Sequence, residues 1–361
     1  MLQRACAVER SGFADGLARV IRMEIAGRAF GAGAPAFVIA EIGNNHDGSV
    51  RQAEQLIEAA ADSGADAVKF QTHIAAAEML PSTPTPPHFD EPRFEFTKRM
   101  ELSLDQHLRL KVFAEQRGLV FFSSPFSVEA VDLLEQVGVP AYKIASGEVT
   151  NPPLVEAVAA TGRPVLLSTG MSGLDDVERA ASILRESGSP FLVMQCTSTY
   201  PCPPELVNLK AMVAMGEVLG VPYGLSDHTP GVWTSVAAVA LGAVAVEKHF
   251  TLSKRLYGPD HHASLVPDEL AQLVQGVREV EAALGTGVKV RDPAHDPVRA
   301  TFEKSVVTRI AVPAGTVLEA QMLTTKRPGT GIPATLLGEV LGRRAARELE
   351  PDHLLREADL V

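Results

Sequence analysis

The feature that most constrains this chain is an eightfold alternation of short apolar runs with longer amphipathic ones. The runs AFVIAEIG, ADAVKFQT, LVFFSSPF, AYKIAS, PVLLST, FLVMQCT, YGLSDH and AVAVEKHF begin near residues 36, 65, 119, 141, 164, 191, 223 and 243. Between them lie stretches such as VRQAEQLIEAAADSG, LDDVERAASILRESG and PDELAQLVQGVREVEAALG, whose terminal Gly suits a helix C-terminus. Alternating strands and helices imply a parallel sheet. Eight units in about 250 residues, none followed by a Gly-rich dinucleotide turn, point to a closed (β/α)8, or TIM, barrel over residues 36–285.

The flanks read differently. Residues 23–31 (MEIAGRAFG) have the pattern of a short β-hairpin, so 1–35 is an N-terminal arm and hairpin, with no function assigned to 1–22. After Gly285 the stretch GTGVKVRDPAHDPVRA is dominated by Gly, Pro and Asp and reads as a linker over 286–300. Residues 301–361 hold short strands and tight turns (PAG, RPGTG), the pattern of a small, mostly β domain. The connection from His73 to Met100 is too long for an ordinary βα loop, and such loops form the active face of a barrel. It is a candidate substrate loop or lid.

Composition excludes some functions. A net charge of -11 argues against non-specific nucleic-acid binding, although a few lysines can still dominate one pocket. No run approaches 18 apolar residues and the first residues lack a signal-type apolar core, so no membrane association is expected. The three cysteines, Cys6, Cys196 and Cys202, have neither paired nor zinc-type spacing, which fits a reducing cytoplasm.

In a parallel barrel, inward and outward residues alternate and catalysis gathers where strands end. On the eighth strand this puts Glu247 and His249 inward and Lys248 outward, where it pairs with a helix or reaches solvent along its stem. On the seventh it puts Gly224, Ser226 and His228 inward and Asp227 outward. Neighbouring strands lie roughly 4.8 Å apart, so His228 and His249 can share one divalent cation whose other positions stay open. A pair of hydrogen-bonded buried histidines is the competing reading.

Lys69 in AVKFQT and Lys143 in AYKIAS sit in otherwise apolar strands, where a lone ammonium costs several kcal/mol unless an anion meets it. Hydroxyls gather at other strand ends: Ser123, Ser124, Ser146, Ser168, Thr169, Thr197, Ser198 and Ser226. Lysines and converging hydroxyls suit a phosphate or carboxylate. Internal salt bridges to Glu41 or Glu148 are the alternative. Glu41, inward at the end of the first strand, is a candidate general acid or base.

The motifs AEIGNNHDG, DAVKFQTH, KIASGE, LLSTGM, QCTSTYP, GLSDHT, EKHFT and GPDHHAS, in that order, resemble the sialic acid synthase family, the N-acetylneuraminate synthases. In the tail, KSVV and KRPGTGI resemble the family's C-terminal SAF domain, which is similar to type III antifreeze protein, so the likeness spans roughly residues 23–361. The resemblance implies condensation of phosphoenolpyruvate with an N-acetylated hexosamine, giving a nonulosonic acid and phosphate by C–O cleavage. It implies a divalent metal, manganese first and magnesium or cobalt as alternatives, on His228 and His249.

By the same resemblance, Lys69, Ser124, Lys143, Ser146, Ser168, Ser198 and Ser226 hold phosphoenolpyruvate, and Glu148, Tyr200 and Asp260 meet the sugar. Arg327 reaches the sugar from the partner of a domain-swapped homodimer. Glu41, His228 and His249 are the catalytic group. Ser124 stands where Thr is expected and Ser198 where some members carry Asn. The insertion PSTPTPPHF departs from the bacterial enzymes and leaves the sugar open among N-acetylmannosamine, its 6-phosphate and the diacetamido hexoses of legionaminic or pseudaminic acid. Two rivals remain: a barrel synthase acting on a sugar phosphate, and a non-catalytic binder working through its tail.

Overall fold

A computed structural model describes residues 22–31, 33–85 and 91–361. Residues 1–21 of the proposed N-terminal arm, residue 32 and residues 86–90 of the long insertion lie outside the described residues. The chain divides into two compact units, the first ending at Gly287 and the second running Val288–Val361.

The first unit is a closed barrel of eight parallel strands: β3 (Phe37–Gly43), β4 (Ala67–Thr72), β5 (Val120–Pro125), β6 (Tyr142–Ile144), β7 (Val165–Ser168), β8 (Phe191–Cys196), β9 (Tyr223–Asp227) and β10 (Ala245–His249). Each run of the eightfold pattern supplies one strand, and β10 closes the ring onto β3 with His249 level with Glu41. On β3, Ile39 faces the interior cluster, whereas Val38, Ala40 and Ile42 face the layer under the helices. Both faces are buried, so these strands read as continuous apolar runs.

The helices between strands begin and end as their sequences direct. The helix Val50–Asp62 starts at Ser49, whose side chain accepts from Gln52 N, and Leu104–Gln116 opens with a Ser103/Gln106 capping box. Val128–Val137 and Leu174–Ser187 end at Gly138 and Gly188 in the left-handed region, which a side chain would strain. At the base of the barrel, the hairpin β1 (Met23–Ile25) and β2 (Arg28–Phe30) inserts Met23, Ile25 and Phe30 among Phe37, Ile39, Phe122 and Leu192. Phe30 stacks on Phe37 with ring centroids 5.0 Å apart.

Two readings of the sequence change here. Lys248 neither pairs with a helix residue nor reaches solvent: it is 1% exposed, and its Nζ donates to Asp227 Oδ2 at 3.1 Å and to the Thr229 carbonyl. The closeness of adjacent strands gives the ammonium a partner on β9 before its stem could extend outward. Within the stretch read as a linker a short helix forms at Asp296–Phe302, just after a turn that Asp292 caps by accepting from Ala294 N. The Pro297 that suggested a loop sits in the helix's first turn, where its missing N–H costs nothing.

The second unit is small and mostly extended. β11 (Ser305–Thr308) pairs antiparallel with β12 (Leu323–Lys326), and Val306, Val312, Leu318, Ile332, Leu349 and Leu355 are among the residues that form its own core. No helix among the described residues is long and apolar enough to cross a membrane.

Candidate active site

The C-terminal ends of the barrel strands open into a cavity of about 420 Å³. Two buried lysines and two buried glutamates form its floor. Lys69 Nζ lies 2.7 Å from Glu41 Oε2 and donates to Ser124 Oγ at 3.1 Å. Lys143 Nζ donates to Glu247 Oε1 at 2.7 Å, and Ser226 Oγ donates to the same oxygen at 3.0 Å. Glu247 Oε2 has no hydrogen-bond partner, with Lys69 at 3.9 Å. The two ion pairs are thus one linked quartet. The partner of Lys143 is Glu247, where the sequence had suggested Glu41 or Glu148.

Charges in so little water act strongly on one another. Burial alone would raise the Glu247 carboxyl, but Lys143 and then Lys69 hold it down to about 2. Lys69 feels burial in the opposite sense, and Glu247 and Glu41 nevertheless lift it above the ordinary lysine value. Lys69 is therefore charged but already neutralised. An incoming anion gains most where further positive charge joins the site.

The hydroxyls stand on the wall beside the quartet. Ser146 Oγ donates to Ser168 Oγ at 3.2 Å and accepts from Gly170 N at 2.9 Å. A Cβ at Gly170 would lie 2.5 Å from Ser198 Oγ and 2.8 Å from both Cys196 Sγ and Ser146 Oγ, so only glycine lets these groups converge. Four small polar side chains from three strand ends thereby present one surface.

His228 and His249 continue the wall onto the next two strands, their ring centroids 5.5 Å apart and the Tyr200 ring 4.0 Å from that of His228. His228 Nδ1 donates to the Thr197 carbonyl at 2.8 Å, which leaves Nε2 as the basic nitrogen. His249 Nδ1 is buried with no hydrogen-bond partner, and burial lowers that ring's pKa. A carbonyl-anchored imidazole beside one with an unpartnered buried nitrogen is a donor set that fits a divalent cation. Among the described residues no three His, Cys, Asp or Glu side chains are grouped as a metal site.

Of the residues singled out from the sequence, Glu41, Lys69, Ser124, Lys143, Ser146 and Ser168 line this cavity, as do Ser198, Tyr200, Ser226, His228, His249 and Asp260. Glu148 does not line it: its carboxylate accepts from Asn151 Nδ2 at 2.7 Å, and burial raises its pKa. Arg327 belongs to the second unit, where its Nε donates to the Phe302 carbonyl at 3.0 Å.

Several lining residues were not picked out from the sequence: Asn44, Gln71, Arg93 and Cys196. Gln71 and Cys196 lie two places beyond Lys69 and Met194 on the inward faces of β4 and β8, so strand alternation could have found them. Against the burial that would raise it, His228, Ser146 and Lys143 bring the Cys196 thiol down to about 7. Arg93 comes from the helix Arg93–Met100 of the long insertion, which no strand pattern reaches.

The comparison with known proteins falls on this same architecture. Residues 56–289 match the NeuB family model, and residues 303–361 match the SAF domain. The chain belongs to the NeuB family. The N,N'-diacetyllegionaminic acid synthase of Campylobacter jejuni is 40% identical over 329 residues, 89% of this chain and 98% of the relative. Human N-acetylneuraminate-9-phosphate synthase is 37% identical, covering 92% of this chain and 94% of that protein. Among solved structures, the N-acetylneuraminic acid synthetase of Leptospira borgpetersenii superposes with a TM-score of 0.70 at 32% identity, over 77% of this chain and 95% of its own. This NeuB-family chain is accordingly a synthase, a TIM barrel followed by a SAF domain.

Proposed function

We propose that this enzyme joins phosphoenolpyruvate to the open-chain aldehyde of an N-acetylated hexosamine, yielding a nonulosonic acid and inorganic phosphate. The observation that carries the reading is the Lys69–Glu41 and Lys143–Glu247 quartet at the cavity floor, flanked by converging serines. Two fixed ammonium groups and short hydroxyls recognise a small molecule bearing both phosphate and carboxylate. The names of the two relatives described above, a diacetyllegionaminic acid synthase and an N-acetylneuraminate-9-phosphate synthase, support the same class.

In the proposed reaction, Lys69, Lys143 and the hydroxyls of Ser124, Ser146, Ser168, Ser198 and Ser226 fix the phosphoenolpyruvate. Tyr200 and Asp260 hold the sugar across from it. The new bond forms between C3 of phosphoenolpyruvate and the aldehyde carbon, whose oxygen takes up a proton. The resulting cation at C2 is captured by water, and Glu41 accepts the proton that water loses. The bond from C2 to the phosphate oxygen then breaks, its electron pair leaving with the phosphate while the new C2 hydroxyl passes its proton to that phosphate and becomes the ketone, and the lysines stabilise the departing group. A divalent cation on His228 and His249, manganese first and magnesium or cobalt as alternatives, would supply Lewis-acid polarisation of the aldehyde.

The test combines the protein with phosphoenolpyruvate, manganese and a panel of N-acetylmannosamine, its 6-phosphate and diacetamido hexoses. Phosphate release and product mass are read, before and after chelation. Release with at least one sugar, lost on chelation and restored by manganese, is the expected outcome. Absence of release with every sugar would overturn the reading. The free thiols of Cys196 and Cys202 support a cytoplasmic setting. Assembly as a homodimer, in which Arg327 of one copy serves the sugar site of the other, is proposed on the family resemblance. Activity regained on mixing inactive E41Q and R327A proteins is its measure.

A further inference from the structure

Glu41 does not face Lys69 alone. Its Oε1 accepts from Gln71 Nε2 at 2.9 Å, and behind Gln71 stand the buried His73 and the side chain of Glu78. The one-turn helix Ala75–Glu78 carries Glu78 back over His73, and Glu101 Oε1 pins its start by accepting from Ala75 N at 2.8 Å.

The protons of this chain of groups are set from its two ends. Lys69 holds Glu41 as a carboxylate, so Oε1 can only accept and Gln71 must turn its NH2 toward it. The amide oxygen of Gln71 then faces the other way, accepting from Asn44 Nδ2 at 2.9 Å and lying 3.3 Å from His73 Nε2. That oxygen only accepts, so His73 Nε2 carries a proton. At the far end His73 Nδ1 lies 3.0 and 2.9 Å from the two oxygens of Glu78, which also only accept. Both ring nitrogens therefore donate. The ring is held between a carboxylate and an amide, stacked on Phe126 with centroids 4.4 Å apart.

A half-turn of the Gln71 amide would set its carbonyl against the Glu41 carboxylate and its NH2 against an N–H of His73. Both contacts are repulsive. We propose that His73, held by Glu78, is a positioning residue that locks the Gln71 amide so that Glu41 stays aimed into the cavity. The inference rests on the proposed role of Glu41 as acceptor of the water proton. Neither His73 nor Glu78 lines the cavity, so the effect runs through Gln71.

The test is a double-mutant cycle on the full enzyme, with kcat and the KM for phosphoenolpyruvate measured for H73F, Q71A and H73F/Q71A. H73F keeps a ring on Phe126 and removes both donors. It is expected to lower kcat roughly tenfold with KM nearly unchanged, as misaimed proton acceptors do. In the Q71A background the same change should cost less than about twofold, because its effect has no route left. H73Q, which restores one donor toward Gln71, should recover most of kcat.

An unchanged kcat in H73F, or an equal loss in both backgrounds, overturns the proposal. E41Q separates the two claims. If E41Q retains wild-type kcat, the role of Glu41 falls and the positioning role with it. If E41Q is inactive while H73F is unaffected, only the positioning role falls. Should H73F fail to fold, E78Q carries the same cycle.

Discussion

Strands β9 and β10 present two buried lysine–carboxylate systems on opposite faces, and they differ in what they leave unfinished. On the outer face Asp227 is complete: Oδ1 accepts from Thr229 N at 2.8 Å, and Oδ2 from Ser235 Oγ at 2.6 Å and Lys248 Nζ at 3.1 Å. On the inner face Glu247 Oε2 has no hydrogen-bond partner, and the quartet it belongs to borders a cavity. A closed pair holds strands to a helix. An open one keeps capacity for a ligand.

The sharpest way to break this comparison is to remove a lysine from each face. K143M should lower kcat/KM for phosphoenolpyruvate by roughly 10²–10³-fold, the scale seen when one preorganised donor is lost. Equal activity in K143M would mean that the inner quartet is as structural as the outer pair. K248M should instead cost about 3–5 kcal/mol of unfolding free energy by stranding a buried carboxylate. Denaturant melts would show it, and kcat in the folded fraction should stay within about twofold. Adding D227N to K248M should return part of that stability, since the stranded charge is gone.

The smallest effect expected is in acid. The folded pKa of Glu247 is depressed from 4.5 to about 2, so its contribution to stability is present above pH 4.5 and lost as pH falls toward 2. Wild type should lose stability across that window more steeply than E247Q, as followed by thermal midpoints at stepped pH. Parallel curves would show that the quartet's charges do not hold the fold.

The same inner and outer alternation decides how much could be read from the sequence. Once the eight apolar runs are taken as strands, a period of two puts Glu41, Lys69, Ser226 and Glu247 on one face, and the closed barrel brings them together. Lys248 was misjudged because alternation gives the face but not the neighbour: its partner Asp227 sits on another strand, 21 residues away. Pairing of Lys143 with Glu247 spans 104 residues and depends on the barrel's interior geometry. Arg93 and Asn44 lie on an insertion and a turn, beyond any periodic signal. His73, directly after β4, looked like the start of a loop, and its role depends on where Glu78 folds back.

The hairpin beneath the barrel carries a further consequence. Met23, Ile25 and Phe30 stopper the base, and the aromatic and aliphatic side chains above them fill the interior. Among the described residues the barrel is therefore filled at its base, and the cavity lies at the opposite ends of the strands. On the proposed reaction, whatever settles on Lys69 and Lys143 arrives before the sugar and leaves after it. Order of addition and of departure is then a property of the vessel, imposed by a stopper that touches neither reactant.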